Sequence, residues 1–133
     1  MSAETVVREY FDAWNRHDPA SVAALFVEGG TYSDPATNGE LIGDAIKAYV
    51  AAMISAFPNI HFEVESVVAA PDGRAAVQWL GRATNTGPFQ GRPPTGRAVS
   101  LAGAEFVLVE GSKIRNAEGY YDRKSFLDQL GVA

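Results

Sequence analysis

The stretch HFEVESVVAAPDGRAAVQWLGRAT, residues 61–84, decides the fold. Two strand-like runs, His61 to Ala70 and Arg74 to Thr84, flank Pro71-Asp72-Gly73, whose residue types suit a tight turn. This predicts a β-hairpin. Upstream of it the periodicity is helical. Val6, Val7, Tyr10, Phe11 and Trp14 recur at helical spacing over residues 3 to 16, with Ser2 as cap. Asp18-Pro19 opens a short second helix that carries Val22, Leu25 and Phe26 inward and stops at Gly29-Gly30, before a strand over Thr31 to Ser33. Gly43-Asp44 opens a third helix with Ile46, Tyr49, Val50, Met53, Ile54 and Phe57 on its buried side, ended by Pro58. Downstream of the hairpin, a Gly/Pro-rich connection over 85–97 leads to strands Ala98 to Val109 and Lys113 to Tyr121. A last helix runs from Asp122 to Leu130, with Gly131 at its C′ position. Three helices on one face of a mostly antiparallel sheet, with a short C-terminal helix, make an α+β fold in one domain spanning 1–133.

Composition narrows the function. The 133 residues are 47% hydrophobic and 11% aromatic, enough for a core and an apolar pocket. A net charge of −5 disfavours a nucleic-acid partner, and there is no cysteine for thiolate chemistry, disulfides or Cys-ligated metal. No apolar run approaches a membrane span, and the N-terminus begins Met-Ser-Ala-Glu-Thr without an apolar leader, so the cytoplasm is the expected compartment. His17 and His61 lack a carboxylate at metal spacing, so no metal is expected; His17 reads as a surface residue. The 85–97 loop lacks a Gly-Lys-[Ser/Thr] ending and predicts no nucleotide site.

Asp34, in Thr31-Tyr32-Ser33-Asp34-Pro35, is the leading candidate for chemistry. A carboxylate at a strand end, among aromatics, is suited to general-base work, and the Tyr10 phenol could donate to an oxygen that gains charge. The same Asp-Pro pair also suits a turn in which the side chain caps its own backbone. His61 is a candidate proton partner. In the His61-Phe62-Glu63-Val64 alternation, however, Phe62 and Val64 share one face and His61 the other, unless a bulge intervenes. Trp14, Met53, Phe57, Trp79, Phe106 and Tyr121 are candidate pocket walls, with small Gly81, Ala102, Ala104 and Gly119 leaving room between them. Phe89 is a candidate lid residue in the 85–97 loop.

Tyr10-Phe11-Asp12-Ala13-Trp14-Asn15-Arg16-His17-Asp18, Tyr32-Ser33-Asp34-Pro35, Gly91-Arg92-Pro93-Pro94-Thr95-Gly96-Arg97 and Leu127-Asp128-Gln129-Leu130-Gly131 resemble the nuclear transport factor 2-like superfamily. Within it they are most similar to the SnoaL-like polyketide cyclase branch. The resemblance implies a cone-shaped fold, a cofactor-free acid/base mechanism and a homodimer paired through the outer sheet face. It places Tyr10 and Asp34 where ketosteroid isomerase has its oxyanion phenol and base, a mechanism taken over from that enzyme rather than worked out for this chain. The isomerase's second oxyanion donor falls on Ala104 and the cyclases' strand histidine on Ala117. Register with the isomerase puts Ala117, Gly119 and Tyr121 in the pocket and turns Glu118 away. The implied substrate is an apolar polyketide-like or terpenoid-like carbonyl or epoxide. The alternatives are a steroid-type double-bond isomerase, an epoxide hydrolase/cyclase that uses His61 near its second acid, and a non-catalytic small-molecule-binding module.

Overall fold

The computed structural model describes residues 2–132. Helix α1 (Ala3–Asn15) starts at Ser2, whose hydroxyl accepts the Thr5 N–H, and buries the apolar stripe read from the sequence. Asp18 caps α2 (Pro19–Ala24) through Ser21. This helix is shorter than its periodicity predicts, because Phe26 opens strand β1 (Phe26–Ser33). Phe26 sits opposite Ile114 in a parallel ladder, and Gly29-Gly30 lies within a register shift of that strand rather than at a helix stop.

The remaining elements are β2 (Leu41–Ile42), α3 (Asp44–Ala56), β3 (His61–Ala69), β4 (Arg74–Thr84), β5 (Ala98–Glu110), β6 (Lys113–Tyr121) and α4 (Arg123–Leu130). The six strands form one sheet in the order β2-β1-β6-β5-β4-β3. Only β1 and β6 run parallel among the paired strands of the described residues; the other neighbours are antiparallel. Strand β2, two residues long, carries no periodicity that a sequence could reveal.

The helices pack on one face of the sheet, α1 across β3, β4 and β5, and α4 against β5. The Asn15 side chain bonds both the N–H and the C=O of Phe62 at 2.8 Å, clamping the end of α1 to the start of β3. His17 is not a free surface residue. Its ring nitrogen lies 2.7 Å from the Ile60 carbonyl oxygen, which makes it part of the same clamp. The 85–97 loop is held from inside by Asn85, which is 1% exposed. Its amide donates to Ala56 and Gly87 and accepts from the Thr95 N–H and hydroxyl.

Strand β5 sets the register of the interior. Val99, Glu105, Val107 and Val109 are buried on its inner face, whereas Phe106 is 53% exposed on the outer one. Phe106 is therefore not a pocket wall. It packs edge-to-face on Tyr120, at 5.6 Å between ring centroids. Ala102 and Ala104 share its outward register, so the position across which the pocket was expected to lack an acid is not in the pocket at all.

Candidate active site

Between the helices and the inner sheet face lies a cavity with about 80 Å³ open to water centres, lined chiefly by aromatic rings. Tyr10, Trp14, Met53, Phe57, Trp79 and Tyr121 all line it, in the positions their spacing suggested, and Asp34 reaches it from the end of β1. Gly119 lines it beside Tyr121, while Glu118 turns outward and accepts from the Tyr120 hydroxyl. Phe89 is buried but lies outside the lining. It is wedged against Phe57 and Phe126, a plug behind the wall rather than a flap over the mouth. His61 is exposed and absent from the lining, as the alternation with Phe62 and Val64 requires. The bulge of β3 falls between Val64 and Ser66, too far along to turn His61 inward.

Asp34 caps its own turn and also lines the cavity. Its Oδ1 accepts the N–H groups of Ala36 at 2.7 Å and Thr37 at 3.1 Å, the turn-capping pattern of an Asp-Pro pair. Its Oδ2 faces the cavity side and accepts the hydroxyls of Tyr32 at 2.5 Å and Tyr49 at 2.6 Å. Every partner is a donor, the surroundings of an acceptor-only carboxylate. Burial, and then the neighbouring Tyr49, push the Tyr32 phenol well above its usual value; burial and then the Asp34 charge do the same to Tyr49. Both phenols stay protonated donors across the physiological range.

The residue that sequence reasoning missed is Glu105, 4% exposed and in the lining. Burial pushes its carboxyl up from 4.5 to about 8, contact with the Tyr10 phenol opposes this in part, and the Asp34 charge adds to it. At neutral pH it is an uncharged acid. Its Oε2 has no hydrogen-bond partner in the protein. The signal was present in the sequence: Val99, Leu101, Val107 and Val109 alternate on odd numbers, and that period carries Glu105 inward with them. Its charge argued the other way, since glutamate is almost never fully buried unpaired.

Gly119 leaves the space between the two acidic side chains open. A Cβ there would sit 3.2 Å from Glu105 Oε1 and 3.3 Å from Asp34 Cβ. Across β6, Gly119 faces Glu105 in register, and Ser33, next to Asp34, pairs with Glu118. The Glu105 carboxyl and the Asp34 Cβ thus flank a residue with no side chain. Tyr10, 1% exposed, completes the group; burial and then Glu105 hold its phenol well above the usual value, so it too is a donor. Among the described residues no cluster of three or more metal-ligating side chains occurs, and no helix is long and apolar enough to cross a membrane.

The family model for SnoaL-like polyketide cyclases matches residues 4–130. The chain belongs to the SnoaL-like polyketide cyclase family. The solved structures that this SnoaL-like chain resembles share the cone. AclR of Streptomyces galilaeus, a candidate hydroxylase, is 25% identical with a TM-score of 0.83, covering 97% of this chain and 80% of that one. IdmH of Streptomyces antibioticus, a candidate polyketide cyclase, is 21% identical with a TM-score of 0.83, covering 99% of this chain and all of that one. A SnoaL-like polyketide cyclase candidate from Jannaschia has a TM-score of 0.87 at 18% identity, over 98% and 92% of the two chains. Among curated sequences, a pathogen-related protein of Hordeum vulgare is 31% identical over 87 residues. That match covers 63% of this SnoaL-like chain, which spans 37% of the barley protein's length.

Proposed function

We propose that this SnoaL-like protein is a cofactor-independent acid/base enzyme that acts on an apolar, polyketide-like or terpenoid-like carbonyl compound held in the aromatic cavity. One observation supports this above the others: two acidic residues flank Gly119 in one cavity lining in opposite environments, Asp34 among four donors and Glu105 buried with a free oxygen. Such a division separates a base from an acid within one site. Asp34 takes the proton from carbon next to the substrate carbonyl. Glu105, still protonated at neutral pH, donates a hydrogen bond to the oxygen that gains charge, and the Tyr10 phenol joins it by turning its single O–H from Glu105 to that oxygen. The resulting enolate either attacks a second carbonyl to close a ring or takes a proton at another carbon. Glu105 thereby supplies the second donor that the register at Ala104 had denied. Uptake of a proton at Asp34 Oδ2 requires Tyr32 or Tyr49 to turn its hydroxyl away. The apolar walls exclude water and keep the contrast between the two acids sharp.

Deuterium exchange from heavy water into a panel of cyclic ketones tests the proposal. Exchange by the wild-type protein should fall about 10²- to 10⁴-fold in Asp34→Asn, the usual contribution of a positioned base. Equal exchange in that variant overturns the mechanism. The saturation of Asp34 by four donors favours one other reading, a non-catalytic binding module in which this carboxylate only anchors the loop and two tyrosines. Binding of ketones without any exchange would select it. Epoxide opening with Glu105 as the acid would appear in the same protein as hydrolysis of an epoxide lost in Glu105→Leu.

We further propose a homodimer through the outer sheet face, where Phe106, Tyr120 and Val68 are 53%, 51% and 70% exposed. Exposed large apolar side chains gathered on one sheet face are a common mark of an interface.

A further inference from the structure

Trp79 sits on the cavity floor with its indole Nε1–H buried and without a partner in the protein, and Glu105 Oε2 is the other buried side-chain atom in that condition among the described residues. Both lie on the inner face of neighbouring strands: Trp79 pairs with Gly103, and Glu105, two residues on, pairs with Val77. The ring is held in one orientation. A Cβ at Gly103 would collide with its Cε2–Cζ2 edge at 2.3–2.8 Å, and a Cβ at Gly81 would lie 3.2 Å from its Cζ3 corner. Nε1 lies across the ring from the Cζ3 corner that faces Gly81. Phe62 and Tyr121 fix the ring edge-on from the helix side, at centroid distances of 5.1 and 6.3 Å.

Core packing alone does not account for this nitrogen. An apolar side chain would fill this place without burying a donor, and buried tryptophan N–H groups usually find a partner. A free donor and a free carboxyl oxygen on residues that line one cavity also specify its ligand. The indole calls for an acceptor, which excludes an ammonium group, and an uncharged carboxyl offers its proton to a second acceptor.

We infer that Trp79 Nε1 and Glu105 Oε2 are paired anchoring points that make the cavity select a flat apolar molecule bearing two oxygen acceptors, one for each. The inference rests on the cavity being the substrate site. It adds Trp79 as a specificity-determining residue distinct from the acid/base group of Asp34, Tyr10 and Glu105.

The test compares three flat bicyclic probes: N-methylphthalimide with two carbonyls, 2-methylisoindolin-1-one with one, and indane with none. There are two tryptophans, so the indole ¹H–¹⁵N spectrum holds two side-chain signals, and Trp79→Phe assigns them. N-methylphthalimide should move the Trp79 signal downfield and bind about tenfold more tightly than the one-carbonyl probe, a gap of about 1.4 kcal/mol. Indane should bind without the downfield shift. Trp79→Phe should weaken N-methylphthalimide about tenfold more than it weakens indane, whereas Glu105→Gln, which keeps an N–H donor, should stay within about threefold. An indole signal that does not move at saturation, no binding of N-methylphthalimide, or an equal loss for both probes in Trp79→Phe would overturn the inference. None of these readouts uses turnover. Failed deuterium exchange with the expected binding pattern removes the catalytic reading alone, and Asp34-dependent exchange with an unmoved indole removes this one alone.

Discussion

Replacing Glu105 by Gln should change how the stability of this protein depends on pH, and the structure sets the size of the change. In the folded protein the carboxyl titrates at about 8, against 4.5 for the free side chain. A raised folded value means that the native state holds a proton that the unfolded chain has lost between those two values. Below pH 4.5 both states are protonated and Glu105 costs nothing through ionisation. Above it stability falls by about 1.36 kcal/mol per pH unit, levelling off near pH 8. At pH 7 the gap from the free value of 4.5 amounts to about 3 kcal/mol, a large share of a small domain's total stability. A buried Gln does not ionise. Its own unpaired amide carries a cost, but one that does not change with pH. The difference between variant and wild type should therefore grow in favour of Gln by about 3 kcal/mol from pH 4.5 to pH 7. In urea titrations, at about 1.5 kcal/mol/M, this shifts the midpoint by about 2 M. All other titrating groups are common to the two proteins, so the difference isolates Glu105. Curves that run parallel from pH 4.5 to 8 would refute the burial argument and with it the role of Glu105 as an uncharged acid.

Three further outcomes are expected. Gly119→Ala places a methyl group 3.2 Å from Glu105 Oε1 and 3.3 Å from Asp34 Cβ. It should cut ketone exchange at least about tenfold by spreading the two acids while costing only about 1 kcal/mol in urea unfolding; unchanged exchange would show that their approach does not matter. Asn85→Ala leaves the Ala56 and Gly87 carbonyls and the Thr95 N–H without their partner, so urea unfolding should show a loss of about 3 kcal/mol. A loss under about 1 kcal/mol would mean that the 85–97 loop is held by other contacts. Light scattering should report twice the 14.2 kDa chain mass for the wild type and the single mass for Phe106→Asp; a monomeric wild type would remove the proposed interface.

Much of the fold was legible because its elements carry strong local signals. The hairpin over 61–84, the Ser2, Asp18 and Asp122 caps and the left-handed Gly131 all lie where residue type and spacing put them. The stripe of α1 and the Asp34-Pro35 turn located Tyr10 and Asp34 in the same way. The second helix was overextended because Phe26 satisfies both a helical period and a parallel strand, and only its partner Ile114 decides between them. His61 was readable from the alternation of Phe62 and Val64.

The chain order of α- and β-forming segments, their caps and turns, the absence of thiols and the aromatic content are properties of the sequence by itself. They depend on interactions within a few residues or on composition. The register of β5 against β4 and β6 is different, because it is set by the contacts of thirteen residues with two neighbouring strands at once. A shift by one would have buried Phe106 and exposed Glu105, the more favourable outcome for those two side chains considered alone. The inner-face valines outweigh that preference. The tertiary structure therefore decided that Glu105 joins Asp34 in the cavity, that Gly119 leaves the space between them open, and that Trp79 buries a free donor in the same lining.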